Sequence, residues 1–408
     1  MYKLFFVIGL LLVIEIYANI ALKVAFQSKQ VFIVSIIISL LIHGFFIYEF
    51  FSFDRRVGQT QYTLILLSLL VLYLTVKLFM ALPLLIEDLY RVLKTIFNFS
   101  TDSNTAQMMP SRRKFVSQMA LGIAAIPFFS VLYGIFEGKY NFKVIKKAVF
   151  FEDLPDSFDG LRVLQISDLH CGSFDNKEKI EYAVDLINQQ DFDLFVFTGD
   201  LVNNFAREMH PWMDTFNRIK KPKFGKYSIL GNHDYGEYTI WDSAAQKEKN
   251  FQEIKDLHGE IGFKLLLNEN VYIENNTDKI ALVGVENWGH NFKKAGDLNK
   301  ASEKLSQQDF KILLSHDPSH FDLEVKNHPK NFHLTLSGHT HGMQFGVEIP
   351  KVFKWSPVQY VYRYWAGLYR DSGKFLYVNR GFGFHAYSGR VGIWPEITVL
   401  ELKKTNKS

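Results

Sequence analysis

The chain has 408 residues, room for two or more domains that each bury a core. Its net charge of +4 is small for that length, so no nucleic-acid partner is expected. A single cysteine, Cys171, excludes an intramolecular disulfide and leaves the redox compartment open, while the apolar residues, 48% of the chain, crowd into its first third.

Leu4 to Leu22 is almost wholly apolar, interrupted by Glu15 and Asn19; Val31 to Phe51 repeats the pattern with His43 and Glu49, and Tyr62 to Ile86 carries Lys77. Each run is near the ~20 residues a helix needs to cross hydrocarbon. Their close succession predicts three transmembrane helices within residues 1–97. Glu15 is expensive in lipid, so it is expected to face a neighbouring helix or lie near an interface.

Asn98 to Pro110 is polar and turn-rich, and residues 98–114 read as a linker ending in Arg112, Arg113 and Lys114. The apolar run that follows predicts a fourth span over 115–135. The paired arginines resemble a displaced twin-arginine export signal, or form the ordinary basic flank of a span. Lys23, Lys29, Arg91, Lys94, Arg112, Arg113 and Lys114 outweigh Lys3, Arg55 and Arg56 on the other side. By the positive-inside rule everything after the fourth span is therefore expected outside the cytoplasm.

Beyond it, Val163, Leu164 and Ile166 read as a buried strand that ends in Asp168, Leu169 and His170. Lys177 to Asn188 is helical, with Ile180, Ala183, Val184 and Ile187 on one face. Asp193 to Thr198 is a second strand, ending in Gly199 and Asp200. Strand, helix, strand makes a βαβ unit with both acids at one edge, so that Asp168 and Asp200 can meet. Further strands over Lys226 to Leu230, Ile280 to Val285, Lys311 to Ser315 and His333 to Ser337 follow. Three of them run into Gly231-Asn232-His233-Asp234, His316-Asp317 and Gly338-His339-Thr340-His341. Any one of these endings is a common accident. The ordered set supplies oxygen and nitrogen ligands repeatedly from one structural position, which points to metal chemistry.

At these residues the chain resembles the calcineurin-like metallophosphoesterases, and within them a bacterial, membrane-tethered branch of small phosphodiesterases. The resemblance covers roughly Phe150 to Leu402. It implies an α/β fold, a two-sheet αββα sandwich over about 148–403, preceded here by an all-α transmembrane bundle. It also implies two divalent metal ions (Mn, Fe or Zn). Carried over by motif, Asp168, His170 and His341 hold one ion, Asn232, His316 and His339 the other, and Asp200 bridges them. A bridging ligand is best a carboxylate, which offers two anionic oxygens, and neutral imidazoles keep the site from repelling a phosphate. Two such ions activate water and clamp the phosphate for in-line attack. By the same resemblance His233 serves the leaving group, Asp234 orients it, and Arg390 contacts substrate phosphate.

Cys171 reads as core filling rather than as a soft ligand. The remaining histidines are expected in core or surface roles, with His385, near Arg390, the closest case. The expected protein is thus a multi-pass bacterial membrane hydrolase of a phosphodiester, monoester or pyrophosphate. The rival readings are a non-catalytic scaffold and a transporter or sensor built on the bundle. Val352 to Tyr369, rich in aromatic residues including Trp355, Tyr360, Tyr362, Tyr364 and Trp365, suggests contact with membrane lipids and a lipid-linked phosphate or pyrophosphate substrate.

Overall fold

The computed structural model describes residues 2–97, 110–349 and 352–405. The centre of the expected linker, 98–109, lies outside them. Contacts divide the chain into two units, Met1–Phe53 with Leu66–Tyr133, and Asp54–Ile65 with Gly134–Ser408.

The first unit is built on α1 (Tyr2–Phe26), α2 (Lys29–Ser52), α3 (Gln61–Phe97) and α4 (Pro110–Phe136). All four are long and apolar enough to cross a membrane. Apolar side chains such as Leu40, Leu41 and Phe129 face outward, as suits a lipid solvent. Glu15 does face a neighbour. Its carboxylate accepts from Tyr73 Oη at 2.6 Å and from Lys77 Nζ at 3.1 Å, and Lys77 also donates to Ser39 Oγ at 2.9 Å. These charges, which the sequence shows as isolated, form one network across α1, α2 and α3. The basic flank belongs to the fourth helix rather than to a linker: Arg113 pairs with Asp88 at 2.6 Å and Arg112 with Glu87 at 3.6 Å.

Among the described residues the second unit carries fourteen strands. In chain order they are β1 (Lys143–Phe151), β2 (Leu161–Ile166), β3 (Leu194–Phe197), β4 (Lys226–Ser228), β5 (Lys264–Leu265), β6 (Glu269–Asn275), β7 (Asp278–Gly284), β8 (Lys311–Leu314) and β9 (Leu334–Ser337). After them come β10 (Val347–Ile349), β11 (Phe353–Trp355), β12 (Gly367–Asp371), β13 (Lys374–Val378) and β14 (Glu396–Lys404). One six-stranded sheet has the order β1-β14-β2-β3-β4-β5, the other β12-β13-β9-β8-β7-β6, and β10 and β11 form a separate hairpin. The sequence-expected strands correspond to β2, β3, β4, β7, β8 and β9, and the expected helix is α5 (Lys177–Asn188).

Alternation along the strands explains the layering. Val163, Leu194 and Val196 of the first sheet meet Leu282, Ile312, Leu314, Leu334 and Leu336 of the second in one core. Leu164, Phe195 and Phe197 point the opposite way, against Ile180, Ala183, Val184 and Ile187 of α5. Strands covered on both faces read as continuous apolar runs, which is why these segments are recognisable from sequence. β2, β3 and β4 are parallel neighbours, as are β7, β8 and β9, so each sheet delivers several strand ends to one edge.

Candidate metal centre

The residues that leave those strand ends turn sharply. Asp168, His170, Asp200, His339 and His341 all have left-handed backbone, with φ of 55°, 46°, 60°, 72° and 49°. Such conformations are costly for residues other than glycine and persist where the surroundings hold them. The glycines beside them are needed for close approach. A Cβ on Gly231 would lie 2.2 Å from Asp200 Oδ1, and one on Gly338 would lie 1.9 Å from Ser167 Oγ and 2.3 Å from Asp168 Oδ2. Gly338 is therefore where the second sheet's loop meets the first sheet's carboxylate.

The loops bring together the side chains that the sequence singles out. Ligand atoms of Asp168, His170 and His341 lie within 4.8 Å of one another, and so do those of Asp200, His316 and His339. Asp200 lies between the groups. Its Oδ1 accepts the His233 backbone N–H at 2.8 Å, while its Oδ2 is 3.4 Å from His170 Nε2 and 3.1 Å from His316 Nε2.

The imidazoles are held from behind. His316 Nδ1 donates to Thr198 O at 2.7 Å, which leaves Nε2 with the lone pair. His170 Nδ1 lies 3.1 Å from Asn203 Oδ1, His341 Nδ1 3.2 Å from Arg390 Nη2, and His339 Nε2 2.7 Å from Tyr362 Oη. In His170, His316 and His341 the other nitrogen, Nε2, lies beside a carboxylate of the cluster, 3.4 and 3.1 Å from Asp200 Oδ2 for the first two and 3.3 Å from Asp168 Oδ1 for the third.

Among the buried side-chain atoms without a hydrogen-bond partner are two at this cluster, Asn232 Oδ1 and His316 Nε2, the latter 3.1 Å from Asp200 Oδ2. Asn232 Nδ2 donates to Tyr238 Oη at 2.8 Å, so the orphaned oxygen is the free end of a fixed amide. A buried amide oxygen and an imidazole nitrogen left unpaired beside carboxylates are what a divalent cation would satisfy. The donor set fits a metal pair.

Electrostatics agree with a site built for cations. Burial works against the Asp200 charge, but His316, His233 and His170 hold its carboxyl well below the usual range. Burial likewise opposes protonation of His316, yet Asp200 and then Asp168 push it up to about 10. His233 is depressed, chiefly by burial, with Asp200 partly offsetting it.

Two residues differ from expectation, Asp234 and Arg390. Asp234 does not orient His233. Its Oδ2 accepts N–H groups of Asp200 at 3.0 Å and Gly231 at 2.8 Å, and its Oδ1 accepts those of Leu201 at 2.8 Å and Val202 at 3.3 Å. Burial and the nearby Asp200 charge push it up to about 7 against those bonds. The residue that orients His233 is Asn203, whose carbonyl accepts from His233 Nδ1 at 2.9 Å. Arg390 is fully buried and directed at carbonyls, with Nη2 donating to Gly383 O at 2.6 Å and Gly381 O at 3.1 Å. It braces the closing loop and His341 instead of facing a phosphate.

Other residues at the site lie outside the motif set. Tyr238 stacks on His233 with centroids 4.3 Å apart. His385 stacks on His170 at 4.7 Å and sits edge-on to His233 at 4.4 Å. Tyr238 follows the Gly-Asn-His-Asp run closely and could be found from that spacing, whereas Tyr362 and His385 reach the site only through the fold. Cys171 is buried, and burial pushes its thiol well above its ordinary value, so it is core. The aromatic segment is divided: Tyr364 and Trp365 are buried, Tyr362 bonds to His339, and Tyr360 is exposed.

Comparisons with known proteins follow the same division. Residues 161–343 match the family described as "Calcineurin-like phosphoesterase", and residues 2–139 match "Probable Calcineurin-like phosphoesterase, transmembrane domain". An uncharacterized metallophosphoesterase of Bacillus subtilis, YkuE, is 32% identical over 62% of this chain and 82% of its own. A transmembrane protein with metallophosphoesterase domain from Danio rerio is 27% identical over 89% of this chain and 78% of its own. An uncharacterized metallophosphoesterase of Helicobacter pylori is 26% identical over 77% and 78%. The relatives span bacteria and an animal, so they do not assign a bacterial source. With groups of His and Asp side chains that could hold metal ions at the strand ends, and four helices long and apolar enough to cross a membrane before them, the chain belongs to the calcineurin-like metallophosphoesterases that carry a transmembrane domain.

Proposed function

We propose that the protein hydrolyses a phosphodiester with two divalent metal ions, on the extracytoplasmic side of a membrane. The observation that carries this reading is the position of Asp200 Oδ2, which is 3.4 Å from His170 Nε2 of one ligand group and 3.1 Å from His316 Nε2 of the other. Asp168, His170 and His341 would hold one ion, Asn232, His316 and His339 the other, with Asp200 shared. When bound, the ions supply a water ionised near neutral pH and the charge that clamps phosphate oxygens for in-line displacement.

The chain's own residues do the rest. Donation from His233 Nδ1 to the Asn203 carbonyl leaves the lone pair on Nε2, so Nε2 is the nitrogen that would take up the proton released as the attacking water ionises and hand it to the leaving alkoxide. Tyr238, stacked on the same ring, limits its rotation and fixes Asn232 through the amide. The complete set of ligand-type side chains argues against a decayed scaffold. The membrane charges give little support to a transporter or sensor, because Glu15 and Lys77 pair with each other. The extracytoplasmic assignment rests on the basic excess around Lys23, Lys29, Arg112 and Arg113.

The test is turnover of the detergent-solubilised full chain, loaded with Mn, Fe or Zn, against bis-4-nitrophenyl phosphate, 4-nitrophenyl phosphate and a lipid pyrophosphate. Metal-dependent hydrolysis of the diester is expected. Inertness toward all three with both metals bound would contradict the proposal.

A further inference from the structure

The chain enters or leaves the catalytic unit at Asp54, Ile65 and Gly134, and each point lies against a segment next to the metal-site residues. In the excursion 54–65, the Arg55 carbonyl accepts from Thr239 Oγ1 at 2.6 Å, and Thr239 follows Tyr238, which stacks on His233. Gln59 Nε2 donates to Ala386 O at 3.2 Å, beside His385. Gly58, with φ of 73°, fits where a Cβ would lie 2.7 Å from the Phe205 ring. Gln61 Nε2 donates to Ser173 O and Phe174 O at 3.1 and 3.0 Å, three and four residues beyond His170. At the last crossing, Gly134 O accepts the N–H of Arg390, the residue that braces His341.

The rim on this side is apolar in an unusual way. Val391 exchanges backbone hydrogen bonds with Gln344 and Gly346, and from there the β10–β11 hairpin projects. Val347, Ile349, Val352 and Phe353 of that hairpin are exposed, Val352 to 79%, and Tyr360 and Val361 behind it are 78% and 67% exposed. Large apolar side chains exposed close together in one segment mark a contact surface. Arg55 and Arg56 are exposed on the excursion. Apolar and aromatic residues with a basic fringe are the composition of an element that lies in a lipid interface.

We propose that this rim docks on the bilayer, with the hairpin in the interface and the two arginines on anionic headgroups, so that the substrate is a phosphoester anchored in lipid. The chemistry rests on the hydrolytic reading above; the docking does not. The occupant is the membrane because α2, α3 and α4, which are long and apolar enough to cross one, end or begin at the three crossing points. The exposed residues replace Trp365 as the lipid-facing candidates, since Trp365 is buried in its own cluster with Val358 and Ile393.

The experiment uses the full chain in vesicles of phosphatidylethanolamine and phosphatidylglycerol. Cys171 is buried, so a nitroxide can be placed selectively on Val352→Cys or, as a control, on Thr277→Cys. Thr277 is exposed in the β6–β7 turn, at the end of β7 opposite the metal site. The label at 352 is expected to be relaxed more by oxygen than by a water-soluble nickel chelate, and the label at 277 the reverse. Equal nickel accessibility at both would overturn the docking, whatever the enzyme hydrolyses.

A second arm compares hexadecyl 4-nitrophenyl phosphate in those vesicles with ethyl 4-nitrophenyl phosphate in solution. Replacing Val352 and Phe353 together by Ser should lower kcat/KM for the hexadecyl ester about tenfold and leave the ethyl ester unchanged. Equal loss on both, or none on either, would overturn the substrate assignment. If wild type cleaves neither ester while the label still reports lipid, the hydrolytic reading fails and the docking stands.

Discussion

The Asp234 carboxylate accepts the backbone N–H of Asp200 at 3.0 Å, so the acid next to His233 in sequence serves the neighbouring loop instead of that histidine. Together with the N–H groups of Gly231, Leu201 and Val202, this bond fixes the left-handed turn from which Asp200 reaches both ligand groups. Asp234→Asn places an NH2 against backbone donors and leaves buried N–H groups unpaired, at about 1–3 kcal/mol each. It should therefore weaken retention of both metals by at least tenfold, measured by competition with a chelator. Full metal occupancy at unchanged affinity would show that the loop holds without it.

Tyr362 reaches the centre through His339. Its hydroxyl lies 2.7 Å from His339 Nε2, and loss of such a partner typically costs about 10–100-fold in metal affinity. Tyr362→Phe should show that loss for one ion of the pair, leaving the other in place. A drop for both ions, or for neither, would contradict the division of ligands.

Much of this was legible in the sequence, for a physical reason. β3 and β8 are buried on both faces and appear as apolar runs, while β2 and β9 are buried but carry polar residues among their leucines and valine. All four are followed closely by a polar ligand, and the loop glycines mark where a Cβ would collide. The role of Asp234 was not legible, because a 3₁₀ turn over His233–Tyr235 directs adjacent side chains to different partners. The attachment of 54–65 to the catalytic unit was also hidden. A short polar connection between two apolar runs has no periodicity, and its partners Thr239 and Ala386 lie far along the chain.

Gly338→Ala tests the closeness of the two sheets' loops. Its Cβ would fall 1.9 Å from Ser167 Oγ and 2.3 Å from Asp168 Oδ2, both just beyond the end of β2 and buried. The expected result is loss of the Asp168-His170-His341 ion and of activity, with the circular dichroism of the fold retained. Wild-type metal content would mean that the loops can separate at little cost.

The catalytic unit should also lose stability in acid through His258. This ring is fully buried, with Nδ1 2.8 Å from Ser228 Oγ, and burial lowers it from 6.5 to about 3. Between those values the unfolded chain binds the proton and the folded one does not. Stability is therefore complete above pH 6.5 and declines as pH falls toward 3, at up to about 1.4 kcal/mol per pH unit. His258→Gln should flatten the pH dependence of the unfolding midpoint between pH 6 and 4, to be followed by denaturant titration. An unchanged slope would place the acid sensitivity elsewhere.

The central claim, that Asp200 is shared by two ions while His233 acts on the leaving group, is tested most directly by metal stoichiometry and turnover in Asp200→Asn and His233→Ala. Asp200→Asn should abolish hydrolysis and empty the site. His233→Ala should keep two metals per chain, lose turnover on an alkyl ester by about 10²–10⁴-fold, and lose much less on an ester whose leaving group needs no proton. A fully active Asp200→Asn, or a metal-free His233→Ala, would contradict the account.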